Sequence, residues 1–364
     1  MRPTLTSLTI RGFKTIRELK DFDPGRLSVL IGPNGAGKSN LLSFFRMLSR
    51  AMTPPGELQI YIAERGGASS LLHDGPAKTK EIEAVLHLQS TDGPYEYGLR
   101  LVYVSGDVFV WADEWFTIPD GAHVTLGSGG ESRLLAHAAG SHASLLISNT
   151  LRRSIVHHLS DTSNTSRMKQ KWSVDDSIRL KEDAGNLAPF LYRLQRTQPP
   201  YYQRIVETTR LILPFFAGYE LQPEYGYLLL RWRELGSDQV FGAWQAADGM
   251  LRAMALVALL RQPEEDLPDL LIIDEPELGL HPSAIELLAS LLEVASNHVQ
   301  VIVATQSVSL VDRLEPHDIV VVDRVGRESA FHRLKDADLS EWLENYTLSE
   351  LWEKNVLGDR PALR

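Results

Sequence analysis

The stretch Gly32-Pro33-Asn34-Gly35-Ala36-Gly37-Lys38-Ser39 constrains this chain more than any other. It fits the pattern G-x-x-x-x-G-K-[ST] and lies between the apolar run Leu27-Ser28-Val29-Leu30-Ile31 and a segment with Leu41, Leu42, Phe45 and Leu48 at helical spacing. A strand buried on both faces, a glycine turn and an amphipathic helix are the context in which that pattern forms a phosphate-binding loop. Gly35 and Gly37 allow backbone angles that a Cβ would hinder, so successive N–H groups can turn onto phosphate oxygens. The helix beginning near Lys38 adds its N-terminal dipole to the same anion site. Lys38 then offers a point charge to the β- and γ-phosphates, and the Ser39 hydroxyl is placed to ligate Mg²⁺. The loop residues Gly32 to Ser39, with Asn40 behind them, are therefore the expected nucleotide-phosphate-binding residues.

A second acidic site supports the first. Leu270-Leu271-Ile272-Ile273-Asp274-Glu275 is an apolar run ending in two carboxylates, as expected of a buried parallel strand whose C-terminal end faces a ligand crevice. Asp274 is expected to hold Mg²⁺ directly or through water. Glu275, read as extended, points the other way and is the expected base for an attacking water. Pro276 stops the strand, and Glu277-Leu278-Gly279-Leu280-His281-Pro282 turns into the next helix.

Composition narrows the remaining choices. The 364 residues contain 47 acidic and 37 basic side chains, a net charge of −10, so any contact with DNA must use a local patch. There is no cysteine, which excludes disulfides, thiolate zinc sites, iron–sulfur clusters and a cysteine nucleophile. The longest apolar run, Ala253 to Leu260, is far short of the ~20 residues that cross a bilayer. No signal segment opens the chain. A cytoplasmic protein with no membrane partner is expected.

Around these motifs the chain reads as α/β. The first 31 residues suggest two strands, Thr6 to Arg11 and Leu27 to Ile31, and the Thr53–Gly56 cluster ends the first helix. Alternation over residues 81–126, punctuated at Asp92-Gly93-Pro94 and Ser105-Gly106-Asp107, predicts a three-stranded antiparallel meander. A loop and helix follow over 127–150, a short strand at Ser154 to Leu159, and the polar tract Ser160 to Ser166. Residues 186–213 read as helical, Leu228 to Trp232 as one strand, and Asp248 to Leu260 as a buried helix apolar nearly all round. The strand–helix rhythm from Leu270 to Asp323 implies a parallel sheet. The expected organisation is residues 1–80 as the N-terminal part of a P-loop core, 81–130 as an antiparallel β-lobe, 131–235 as a helical insert lobe, and 236–364 as the C-terminal part of the core.

The loop followed by Asn40, a long insertion, and Asp274-Glu275-Pro276-Glu277 with Leu280-His281-Pro282 resembles the ATP-binding-cassette ATPases of the SMC and RecF type. More narrowly, the chain is similar to the short predicted AAA-type ATPases related to RecF and to the ATPase half of OLD-family nucleases, without coiled-coil arm or nuclease domain. The opening Leu8-Thr9-Ile10-Arg11-Gly12-Phe13-Lys14, the switch-position Thr305-Gln306-Ser307, and Leu343 to Trp352 carry the same likeness. It implies a mixed, mainly parallel sheet with a β-lobe and a helical lobe, and a head that hydrolyses ATP as a sandwich homodimer. In such a dimer the signature loop of one subunit caps the γ-phosphate held by the other. The candidate signature is Gln245-Ala246-Ala247-Asp248-Gly249, followed by Arg252. Relatives place a serine where this chain has Ala247, so one charge-assisted bond of ~1.5–3 kcal/mol is missing and slow turnover is expected. Asp248 has a second reading as a helix N-cap. Gln306 stands where transporter ATPases carry histidine; it can hydrogen-bond phosphate or water but takes no proton, leaving Glu275 as the base.

Some positions stay open at this level. The glutamine that reports nucleotide state in relatives falls near Asp161-Thr162-Ser163, with Gln59 and Gln170 as other candidates. Adjacent His157 and His158 face opposite sides of a strand, which argues against a shared metal site. Phe13 is a core aromatic or an adenine stack. The resemblance implies an ATPase switch regulating a separate effector, a nuclease or toxin, in anti-phage defence or DNA maintenance; the alternative is a RecF-like DNA-binding repair factor. About 30 residues after the last expected strand are too few for a nuclease domain.

Overall fold

The computed structural model describes residues 2–53, 55–336, 339, 342 and 346–354. Four apolar runs, separated in the chain, assemble its centre. β3 (Leu27–Ile31), β14 (Leu270–Asp274), β15 (Gln300–Ala304) and β16 (Ile319–Val325) lie in one six-stranded sheet, with β8 (Ser154–His158) at one edge and β17 (Glu328–Arg333) at the other. The order is β17-β16-β3-β15-β14-β8, and every pair is parallel except the β16/β17 hairpin. Alternate residues of each central strand enter different cores. Val29, Ile31, Leu271, Ile273, Val301 and Val303 face one, while Leu30, Leu270, Ile272, Ile302 and Val320 face the other. Burial on both faces is why these runs show no polar alternation.

One face is covered by α1 (Lys38–Ala51), α2 (Glu57–Glu64) and a second six-stranded sheet. That sheet runs β2-β1-β4-β5-β6-β7, from β1 (Thr4–Phe13), β2 (Ile16–Phe22), β4 (Glu81–Ser90), β5 (Gly93–Val104), β6 (Val108–Thr117) and β7 (His123–Thr125), all antiparallel. The expected meander is therefore present as β4–β6. The reading of two strands in the first 31 residues is corrected to three: Lys14 in a left-handed turn closes a β1/β2 hairpin whose second strand, charged at Arg17, Glu18 and Lys20, gave no apolar run. Gly12 is required there. It has φ +76°, and a Cβ would stand 2.4 Å from the Glu81 carbonyl oxygen.

Past β7 the short helices α3 (Leu134–Ala138) and α4 (His142–Arg152) lead into β8. The opposite face of the parallel sheet carries α5 (Leu187–Thr197), α6 (Pro199–Ile212), α7 (Asp248–Arg261) and α8 (Pro282–Ser296). The 186–213 region divides at Gln198, where Pro199 lacks the N–H to continue α5 and opens α6. The single strand expected over Leu228 to Trp232 is also divided. β11 (Tyr227–Leu228) pairs with β9 (Trp172–Ser173), whereas β12 (Arg231–Glu234) lies between β10 (Phe216–Tyr219) and β13 (Val240–Gly242). α7 is buried along nearly its whole length, as its unbroken apolar sequence predicts. The helical turn α9 (Val308–Val311) links β15 to β16. In the C-terminal stretch, Leu343 to Asn345 lie outside the described residues, and Leu348–Glu353 form a helix capped reciprocally by Thr347 and Glu350.

Phe13 belongs to the core: it is fully buried and meets Phe44 edge-on at 5.4 Å. No helix among the described residues is long and apolar enough to cross a membrane. Gly12→Ala is expected to destabilise the chain by about 1–3 kcal/mol through the clash with the Glu81 carbonyl and the unfavourable φ. Urea denaturation checks it; an unchanged midpoint would show that the hairpin junction yields without cost.

Candidate nucleotide-binding and catalytic site

Parallel strands end on the same side, so β3, β15, β14 and β8 deliver their following residues to one edge of the sheet. β3 delivers the glycine loop. Gly32 leaves the strand at φ +149°, with the Val322 carbonyl oxygen 2.1 Å from where a Cβ would sit. Gly37, at φ +118°, precedes α1 with its would-be Cβ 2.0 Å from Ser329 Oγ and 2.8 Å from Thr15 Oγ1. Those two hydroxyls form a clamp on the outer side of the loop. Ser329 Oγ donates to the Ala36 carbonyl and lies 2.6 Å from Thr15 Oγ1, which accepts from Asn40 Nδ2 at 2.6 Å. Arg324 Nη1 also donates to the Gly35 carbonyl at 3.1 Å. β17 and the β1/β2 turn thus hold the loop's shape, which the motif alone did not reveal.

Lys38 is buried, and its ammonium donates to the carbonyls of Gly32 at 2.6 Å and Pro33 at 3.2 Å. Burial lowers its pKa, and the fields of Glu275, Asp274 and Glu277 oppose that shift. These couplings link the loop to the acidic end of β14. Ser39, at the first turn of α1, is exposed.

Asp274 is the last residue of β14, paired with Ala304 on one side and His158 on the other. Glu275 differs from the extended residue expected. Its φ is +47°, a left-handed conformation costing about 1–3 kcal/mol for a residue with a Cβ. Its N–H still donates to the Ala304 carbonyl at 2.8 Å, so the chain turns sharply immediately after Asp274. The carboxylate is met by Gln306 Nε2 at 2.7 Å, which joins the expected base to the expected switch residue. Glu277 lies behind them. Thr305 Oγ1 donates to Glu277 Oε1 at 2.6 Å, and the Gln306 N–H reaches the same oxygen at 3.3 Å. Burial raises the Glu277 pKa, opposed by these bonds.

The Ala247-Asp248-Gly249 turn stands at the start of α7. Ala247 is the N-cap and Asp248 the first helical residue, with no side-chain cap bond, so the N-cap reading of Asp248 is corrected. Ala247 and Asp248 are exposed, leaving the helix's N-terminus open to solvent. Gly249 is confined: a Cβ would lie 2.2 Å from the Gly279 carbonyl oxygen. Arg252, one turn on, donates to the carbonyls of Leu159 at 3.3 Å, Ser160 at 2.7 Å and Leu278 at 2.8 Å. It ties α7 to the end of β8 and to the turn after β14.

Of the candidate reporter positions, the tract Asp161-Thr162-Ser163 is held to α7, Thr162 Oγ1 accepting from Arg252 Nη2 at 3.5 Å. Gln59 donates to the Phe109 and Gly130 carbonyls, and Gln170 to Thr165. The histidines do face opposite ways, as strand geometry requires. His157 is fully buried, and desolvation lowers its pKa to about 4. His158 turns towards the site, with Nδ1 3.5 Å from Asp274 Oδ2. That neighbour could not be found from the motifs, because the β8–β14 register sets it.

A glycine loop, a lysine that feels the fields of Asp274 and Glu275, and a hydroxyl at the first turn of α1 are the donor types that suit a nucleoside triphosphate with a hard divalent cation. Comparison with known proteins agrees with that chemistry. The family model described as "AAA domain, putative AbiEii toxin, Type IV TA system" matches residues 27–312, and the chain belongs to this family of AAA ATPases. Within it, the fold is that of an SMC-type, ABC-like ATPase head. It is similar to an SMC head bound to the C-terminal winged-helix domain of ScpA, with TM-score 0.61 and 16% identity over 93% of this chain and 99% of that one. It is also similar to the SMC head with an extended coiled coil bound to the C-terminal domain of ScpA from Pyrococcus furiosus, with TM-score 0.58 and 14% identity over 94% and 99%. No curated protein matches the chain. The family implies nucleotide binding, usually with Mg²⁺.

Arg252→Ala removes three bonds to backbone carbonyls and a longer one to Thr162 Oγ1, all from a charged donor, and is expected to lower stability by about 2 kcal/mol or more. A urea midpoint equal to that of the parent chain would contradict the bracing role.

Proposed function

We propose that this protein binds and slowly hydrolyses ATP, and that ATP binding drives two copies together into a dimer acting as a switch on a separate effector. The observation that carries this reading is the delivery of the glycine loop, Asp274 and the Glu275–Gln306 pair to one edge of the parallel sheet of an SMC-type head, whose exposed α7 N-terminus is left for another molecule. The loop N–H groups and Lys38 would take the triphosphate, the ammonium exchanging its two backbone carbonyls for phosphate oxygens. Mg²⁺, with Ser39 and Asp274 as its protein ligands, would neutralise charge at the β- and γ-phosphates. Glu275, held by Gln306, would orient the attacking water and accept its proton; the turned backbone fixes where that carboxylate stands. Asp248 and Gly249 of a second copy would bring the α7 dipole and N–H groups to the γ-phosphate. Ala247 offers no hydroxyl there, which supports slow turnover.

Arg252 gives the dimer a route of communication. It joins the helix offered to the partner's nucleotide to the strand end beside the chain's own Asp274. Nucleotide at one site would thereby bias the geometry presented to the other. The family description points to toxin–antitoxin biology, and the two SMC heads were solved with a bound partner domain, so a protein effector is the partner class favoured here.

Two outcomes are expected. Lys38→Ala abolishes ATP binding in a calorimetric titration; retained affinity would contradict the loop assignment. Glu275→Gln with Mg-ATP doubles its mass by light scattering, because the nucleotide is bound and not turned over. An unchanged mass with bound ATP would contradict the dimer switch.

A further inference from the structure

We propose that His158 Nδ1 is a nitrogen ligand of the divalent cation that Asp274 holds, so that this site takes first-row transition cations, with Mn²⁺ as the paramagnetic probe, more tightly than an all-oxygen site would. The inference rests on the nucleotide reading above and adds a residue and a metal preference to it.

Three features support it. His158 and Asp274 are register partners, the last residues of the adjacent parallel strands β8 and β14, so both side chains rise at the same sheet edge. Nδ1 stands 3.5 Å from Asp274 Oδ2. That exceeds the about 2.7–3.2 Å of an N–H···O bond and is near the roughly 3 Å between neighbouring ligands of a six-coordinate cation. Finally, the imidazole is held from behind. Nε2 lies 2.6 Å from Ser160 Oγ; in the tautomer with Nε2–H donating to that hydroxyl, Nδ1 keeps its lone pair for a cation. The backbone is fixed as well: the His158 N–H donates to the Glu182 carbonyl at 2.9 Å, and Arg252 holds the next two carbonyls. The side chain is about half exposed, at 49%, so a hydrated cation reaches it without desolvating a buried charge. An imidazole nitrogen raises the preference for first-row transition cations over Mg²⁺ beyond what hydroxyl and carboxylate oxygens give.

The test is pulsed electron paramagnetic resonance of the full chain with Mn²⁺ and a non-hydrolysable ATP analogue. Phosphorus coupling reports cation on the nucleotide, and nitrogen coupling reports the imidazole; ¹⁵N-histidine labelling assigns the latter. The parent chain is expected to show both. His158→Gln keeps the phosphorus coupling, loses the nitrogen coupling and binds Mn²⁺ roughly tenfold more weakly. His281→Gln, at the exposed N-cap of α8, keeps both couplings. Phosphorus without nitrogen coupling in the parent, or nitrogen coupling that survives in His158→Gln, overturns the ligand assignment alone. Absence of phosphorus coupling in the parent overturns the nucleotide reading and this inference with it.

Discussion

The register of four parallel strands is the constraint on which everything else depends. β3, β15, β14 and β8 end at one edge of the sheet, and each hands a different functional segment to that edge: the glycine loop, Gln306, Asp274 with Glu275, and His158. A slip of one residue would turn every strand's side chains to the other face and set apart groups now hydrogen-bonded across strands. The two cores resist such a slip, because alternate residues of every central strand are committed to opposite apolar layers.

Around that edge the chain accepts local strain and close approach. Gly32 and Gly37 come so near Val322, Ser329 and Thr15 that a methyl group could not be admitted, and Glu275 occupies a left-handed conformation. These sites hold their shape through bonds from distant parts of the chain. Ser329 and Arg324 reach the loop from β17 and β16, and Ala304 holds the N–H of Glu275. A preorganised loop would cost little reordering on binding phosphate, so that a small set of dipoles and one lysine could act strongly.

The parts legible in the sequence were those with strong local signals. The glycine loop, the apolar strand before Asp274 and the all-apolar α7 each carry their environment in consecutive residues. What escaped depended on pairing across the sheet. The charged strand β2 has no apolar run of its own, and its partner β1 supplies the reason it is a strand. Thr15 and Ser329 are ordinary hydroxyls until a hairpin and an edge strand bring them together over Gly37. His158 stands beside Asp274 only through the β8–β14 register, and the left-handed turn at Glu275 replaces the extended residue that an ideal strand would give.

The central claim is that one chain supplies the phosphate loop and another the helix end that completes it. It is tested most directly by mixing two variants that are inactive for different reasons and measuring ATP hydrolysis. Lys38→Ala removes the loop's cation but keeps α7 intact, whereas Ala247→Glu sets a carboxylate on an exposed residue where the γ-phosphate of the other copy would approach. Each alone is expected to be inactive. The mixture is expected to recover measurable hydrolysis, because a mixed dimer contains one site built from two unaltered halves. A mixture as inactive as its components, with mixed dimers demonstrated by mass, would contradict a site shared between subunits.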